Sequence, residues 1–196
     1  MLALGELERS IFFALHGFNL RGLNEVMIFL SGPLPWVPLL AFLVWRIHAQ
    51  TRALRSTLLL IVLALALLAM VDTSTSYFFK NLVGRLRPCR MPELKASLAQ
   101  FGQKCGGRWG FFSSHAANAA ALAVFFLPFA ALTPWQKRSV LLTVGLVSYS
   151  RIYLGVHLPL DILAGLLWGS ALAVSWVAVA RSALRARAAS ASTPRQ

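Results

Sequence analysis

Ser150-Arg151-Ile152-Tyr153-Leu154-Gly155-Val156-His157-Leu158-Pro159-Leu160-Asp161 joins two strongly apolar segments, yet it carries a guanidinium, an imidazole and a carboxylate. Ionisable groups at a membrane boundary are costly to desolvate, so by default they read as a working site. His157 and Asp161 are four residues apart, one helical turn if helix starts there, and the carboxylate can then orient the imidazole. A carboxylate-held imidazole is a candidate nucleophile or proton carrier. Arg151 can bind an anion beside it, bidentately if the geometry allows. The alternative is a juxtamembrane loop with a salt bridge, and the flanking chain has to decide between the two.

The flanks are those of a membrane protein. Of 196 residues, 58% are hydrophobic and only 13% charged, against about a quarter charged in soluble domains. Several uncharged runs reach the roughly 20 residues that cross a bilayer. The expected fold is all-α: a polytopic membrane helix bundle of about five transmembrane helices, with an N-terminal interfacial amphipathic helix, all one domain over residues 1–184. The net charge of +13 does not imply nucleic acid, because the bases cluster at the ends of apolar segments, as membrane orientation and anionic headgroups require. The N-terminus lacks the basic n-region of a cleaved signal, so no cleavage is expected.

In chain order, residues 1–22 mix Leu4, Leu7, Ile11, Phe12 and Leu15 with Glu6, Glu8, Arg9 and His16, an interfacial helix pattern. Spans are expected over about 26–45, 56–79, 114–134, 139–156 and 158–180. Gly32, Pro33, Pro35 and Pro38 should bend the first. The second ends in Asp72-Thr73-Ser74-Thr75-Ser76, which faces the bundle interior or a watery cavity; Asp72 either supports the site electrostatically or is bonded within the bundle. Pro128 suggests a kink in the third span. Trp135-Gln136-Lys137-Arg138 reads as a tight basic turn. Gly165 and Gly169 form a small-xxx-small pair, which permits close helix approach. Residues 185–196 read as a flexible basic tail.

With five spans, the turns holding Arg46, Arg52, Arg55, Lys137 and Arg138 share a side with the C-terminus, and that side has no acids. The raw basic count is tied between sides, and these short acid-free turns place that side in the cytoplasm. The site and the 81–110 connection then face outward, in an oxidising compartment where Cys89 and Cys105 are expected to pair.

Two further polar patches fall on the same side. Lys80 and Arg87-Pro88 are spaced to share one helix face if helix continues to the proline; alone they would read as snorkelling anchors. Ser113-Ser114-His115 opens the third span, where serine caps a helix and free N–H groups can hold phosphate oxygens. Together the patches supply three cations, two hydroxyls, two histidines and a carboxylate, a set suited to phosphoryl transfer. There is no metal-ligand constellation, so the cations have to neutralise the charge.

Lys80-x6-Arg87-Pro88, Ser113-Ser114-His115 and Ser150-Arg151-x5-His157-x3-Asp161 resemble the three signatures of the type 2 phosphatidic acid phosphatase (PAP2) superfamily. One departure is that Phe112 and Ser114 stand where the family's second signature usually has proline and glycine. The resemblance implies that His157 attacks phosphorus, Asp161 orients His157, and His115 is the general acid and base. Lys80, Arg87, Ser113, Ser114 and Arg151 would clamp the phosphate. It implies an inner-membrane enzyme without cofactor or metal that takes phosphate from a lipid at the outer face. Undecaprenyl diphosphate comes first among the substrates, with phosphatidylglycerol phosphate, phosphatidate and a lipid A phosphate also open. A phosphotransferase using the same site, and a non-catalytic lipid-binding or transport protein, are the alternatives. His16 and His48 lie outside the signatures and read as interfacial bystanders.

Overall fold

A computed structural model describes residues 5–16, 22–98 and 105–192. Among them are α1 (Glu6–His16), α2 (Leu23–Ser31), α3 (Trp36–Thr51), α4 (Leu54–Thr73), α5 (Lys80–Val83), α6 (Pro92–Leu98), α7 (Ser114–Phe126), α8 (Pro134–Tyr153) and α9 (Pro159–Ser192). No strand occurs among the described residues, and an isolated antiparallel bridge pairs Leu86 with Trp109. The ends of the expected interfacial helix, 1–4 and 17–21, lie outside the described residues, as does 193–196 of the expected tail.

Leucine and alanine dominate α4 and favour helix. Its buried face runs Leu60, Ala64, Leu67, Val71, the spacing of one helical stripe. A π-helical segment, Ser74–Phe79, joins α4 to α5 without a break. Such a wide turn inserts one residue and advances the following side chains by about 100°. Gly84, at φ 58°, ends α5, using the left-handed cap that glycine adopts without penalty. Lys80 and Arg87 therefore do not share a helix face, contrary to the spacing argument. Arg87 is extended, as a residue before proline tends to be.

The alanine-rich α7 is the central helix, buried along most of its length. It packs most extensively on α9, and the two glycines explain the closeness. A Cβ on Gly165 would lie 2.6 Å from the Ser113 carbonyl oxygen, and one on Gly169 would lie 2.0 Å from that of Ala117. The small-xxx-small pair thus serves a contact within the chain. Pro128 lies beyond the last residue of α7 and inside a turn, so it follows the helix end and does not kink it. Trp135–Arg138 is the first turn of α8, secured by a capping box between Thr133 and Gln136. Residues 185–192, read as a flexible tail, continue α9 as helix.

Among the described residues, two helical rods are long and apolar enough to cross a membrane, Leu54–Val83 and Pro159–Ser190. The pair α2 and α3, bent by 50° across the Gly-Pro-rich break, makes a third if counted as one span. At 13 residues, α7 is about 20 Å long, shorter than the roughly 30 Å hydrocarbon core. The N-terminal helix is more firmly placed than an interfacial helix need be. Its buried residues are Glu8, Phe12 and His16, one face at i, i+4, i+8, docked on α8 and α9. The Tyr149 hydroxyl donates to the Leu15 carbonyl at 2.9 Å. Phe12 joins Leu94, Ala116, Leu158 and Ile162 in a small core, separate from the large one among α3, α4, α7, α8 and α9. The small core, through Ile152 and Leu158, lies beside the His157-bearing stretch between α8 and α9.

Candidate active site

His157 lies between α8 and α9, outside the spanning helices, with 1% of its surface exposed. Gly155, at φ 66°, turns the chain there, and the His157 backbone N–H donates to the Arg151 carbonyl at 3.2 Å. The imidazole Nδ1 is 3.4 Å from Oδ2 of Asp161, a wholly buried carboxylate. Asp161 is fixed on both sides: Oδ2 accepts the Leu158 N–H at 2.9 Å, and Oδ1 accepts from Arg85 at 3.2 Å. The Ser113 N–H donates to the Asp161 backbone carbonyl at 3.0 Å, which ties the second signature to the third. Burial lowers the His157 pKa to about 4; Asp161 opposes the shift, while the charges of Arg87 and Arg151 add to it. The ring is therefore neutral at pH 7. With Nδ1 facing the carboxylate, the lone pair belongs on Nε2.

The other residues singled out by sequence gather around this pair. Lys80 Nζ donates to the Ser114 hydroxyl at 2.8 Å and to Ser76 at 3.3 Å. Ser114 also meets Thr75 at 2.9 Å, so its hydroxyl anchors the end of the α4–α5 rod. Ser113 is the N-cap of α7, accepting the Ala116 N–H. Arg87 donates to the carbonyls of Trp109 (3.2 Å) and Cys105 (3.1 Å). The charges of Arg151, Arg87 and Lys80 act on His115, which is exposed at the start of α7. A disulfide joins Cys89 to Cys105, and the Cys89 N–H donates to the Gly155 carbonyl at 3.1 Å. The disulfide loop therefore braces both Arg87 and the His157 turn.

Several contacts had no sequence signal. Arg151 donates to the Ser31 hydroxyl at the end of α2, so the break in the first span serves the site. Arg85, counted as one of six spacer residues, is 2% exposed and pairs with both Asp161 and Glu8. Glu8 belongs to the expected interfacial helix, and nothing in the sequence marks it as buried. His48 bonds Thr57 at 3.2 Å, between α3 and α4, and has no contact with the site residues. Phe112 stacks on Phe79 at 4.3 Å between ring centroids.

A cavity of about 500 Å³ opens from Ser114 and His115. Its walls are apolar at Trp36, Leu40, Leu68 and Leu122, and carry one carboxylate, Asp72. The Asp72 charge acts on Lys80, in keeping with an electrostatic part in the site. Concave apolar sites with a few convergent polar groups are where ligands of this size bind.

The family model described as the PAP2 superfamily matches residues 56–185, a stretch that contains all three signatures. The chain belongs to the PAP2 superfamily. It is 31% identical over 170 residues to a lipid A 4'-phosphatase of Porphyromonas gingivalis, covering 84% of this chain and 69% of that one. An undecaprenyl-diphosphatase of Sulfolobus acidocaldarius is 32% identical over 164 residues, covering 81% and 71%. Among solved structures, the fold resembles a transmembrane PAP2-type phosphatidylglycerolphosphate phosphatase from Bacillus subtilis (TM-score 0.62, 22% identity, 90% of this chain and 85% of that one). It also resembles Aquifex aeolicus LpxE (TM-score 0.61, 20% identity, 90% and 99%). This PAP2 protein is thus an enzyme of the phosphatase type and a membrane helix bundle.

Proposed function

We propose that the enzyme removes phosphate from a membrane lipid through a phosphohistidine on His157. The observation that carries this reading is the neutral, buried His157 ring held 3.4 Å from Asp161 amid the charges of Arg87 and Arg151. In the first step His157 Nε2 forms a bond to phosphorus while the bond to the lipid oxygen breaks. His115, protonated beside the bound phosphate anion, gives that oxygen its proton. A water, losing its proton to His115, then attacks phosphorus, and the N–P bond breaks to free inorganic phosphate and restore His157. Lys80, Arg87 and Arg151, with the Ser113 and Ser114 region at the start of α7, offset charge on the equatorial oxygens. No metal is needed in this scheme.

The apolar-walled cavity beside His115 suits a substrate whose ionic head reaches the cations while its tails stay in lipid. The substrate is a lipid phosphate or diphosphate; the relatives' activities make a lipid A phosphate and undecaprenyl diphosphate the first candidates. We place the enzyme in the cytoplasmic membrane with five spans and the site at the outer face. Packing of the short α7 against α4, α8 and α9 supports that count, since an enclosed helix need not match the bilayer thickness. The test is phosphate release by the purified enzyme from a panel of lipid phosphates, with chelator present. Release by the parent and none by His157→Ala is expected. Parent-like release by His157→Ala would remove the nucleophile, chelator-sensitive release would remove the metal-free scheme, and phosphate recovered on a second lipid would make the enzyme a transferase.

A further inference from the structure

We infer that Glu8 and Arg85 are positioning residues for His157, through which the N-terminal helix sets the charge of the carboxylate behind the nucleophile. The inference rests on the proposed role of His157. Arg85 Nη1 donates to Asp161 Oδ1 at 3.2 Å and to Glu8 Oε1 at 3.2 Å, while its Nη2 pairs with Glu8 Oε2. Glu8 Oε1 also accepts the Leu160 N–H at 3.1 Å, in the first turn of α9. All three ionisable side chains are buried: Glu8 at 8%, Arg85 at 2% and Asp161 at 0% exposure.

The charge balance gives this triad its meaning. An Arg85–Asp161 pair alone would be neutral, and the field of Asp161 on the imidazole would be largely cancelled. Glu8 offsets Arg85, so two carboxylates against one guanidinium leave one net negative charge behind His157. Attack on phosphorus puts positive charge on that ring, and a net negative charge behind it stabilises the charged ring relative to the neutral one. Arg85 meanwhile holds Oδ1 and leaves Oδ2 facing Nδ1. The ring is otherwise faced by Arg151 from α8, Arg87 from the connection before α7, and His115 from α7. Apart from Asp161, every group in that set that carries a full charge is a cation.

The test uses the full chain in detergent micelles. Glu8→Gln keeps one oxygen to accept from Arg85 Nη1 and the Leu160 N–H, but removes the charge and the acceptor facing Arg85 Nη2. It should lower kcat by about tenfold to a hundredfold, by analogy with the loss of a carboxylate behind a metal-bound imidazole, with KM little changed and the acid limb of the rate profile moved to lower pH. Glu8→Gln combined with Arg85→Gln leaves Asp161 as the single negative charge and should recover part of the lost kcat. A staple that merely holds α1 in place would make the double variant as poor as the single one or worse, and that result overturns the inference, as does parent-like kcat in Glu8→Gln. If the unbalanced arginine keeps the single variant from folding, the double variant still decides: turnover near the parent's supports the charge argument, and loss as deep as in His157→Ala overturns it. Activity surviving in His157→Ala would instead mark the failure of the proposed function itself.

Discussion

An imidazole removed from water but braced by a carboxylate has opposing influences on its basicity, and at His157 burial is the larger one. A base with lowered pKa keeps its lone pair as the solution is acidified, so His157 should stay nucleophilic through pH 6.5, the ordinary imidazole value, and lose activity only as pH approaches about 4. We expect the acid limb of kcat/KM, corrected for titration of the substrate phosphate, to lie well below 6.5; a limb at 6.5 would mean that the ring is solvated. Stability follows the same linkage. The unfolded chain takes up a proton below about 6.5 that folded His157 refuses until about 4, so this residue costs the fold stability as pH falls through that window. At this scale the sequence was informative wherever chemistry requires a local spacing, as in His157 and Asp161. It was silent on Arg85 and Glu8, because their pairing across 77 positions is created by packing alone.

Helices bring the patches together, and the closest approach is between α7 and α9. Placing a methyl on Gly169, 2.0 Å from a backbone oxygen of Ala117, forces the two helices apart at the base of the site. Gly169→Ala should therefore destabilise by about 1–3 kcal/mol, the usual range for overpacking, and should lower activity through the displaced His115. Gly145→Ala is the matched control, since a Cβ there meets nothing within 4 Å and alanine is the better helix former by about 1 kcal/mol. Thermal unfolding of both variants in one detergent checks the contrast; equal melting temperatures would contradict the tight contact. Element boundaries were legible where punctuation was strong. Gly32-Pro33 and Pro35 mark the bend between α2 and α3, and Ser113 marks the start of α7. They were obscure where the physics is not local. The π-helical segment before Lys80 has no composition of its own, and Gly84 ended a helix that the Lys80–Arg87 spacing had suggested would continue.

For the whole molecule the open quantity is orientation, and the side-chain partners bear on it. The basic count was tied between the two sides, but on the site's side Arg85 is held by two carboxylates, Arg87 by two carbonyls, Lys80 by two serines and Arg151 by Ser31. Bases committed to protein partners are poor topogenic signals, whereas Lys137 and Arg138 are exposed in the first turn of α8. Discounting the committed residues, Arg46 on the opposite side included because it donates to the Ala131 carbonyl, breaks the tie in favour of the proposed cytoplasmic placement of the α3–α4 and α7–α8 turns. In the proposed orientation the disulfide lies outside, in the compartment where such bonds persist. Single cysteines at two exposed positions make the orientation measurable, because the native pair is already oxidised. In intact cells treated with a membrane-impermeant maleimide, Glu25→Cys should label at once and Lys137→Cys only after lysis. The reverse pattern would put the phosphate site on the cytoplasmic face and with it exclude every substrate presented only at the outer leaflet.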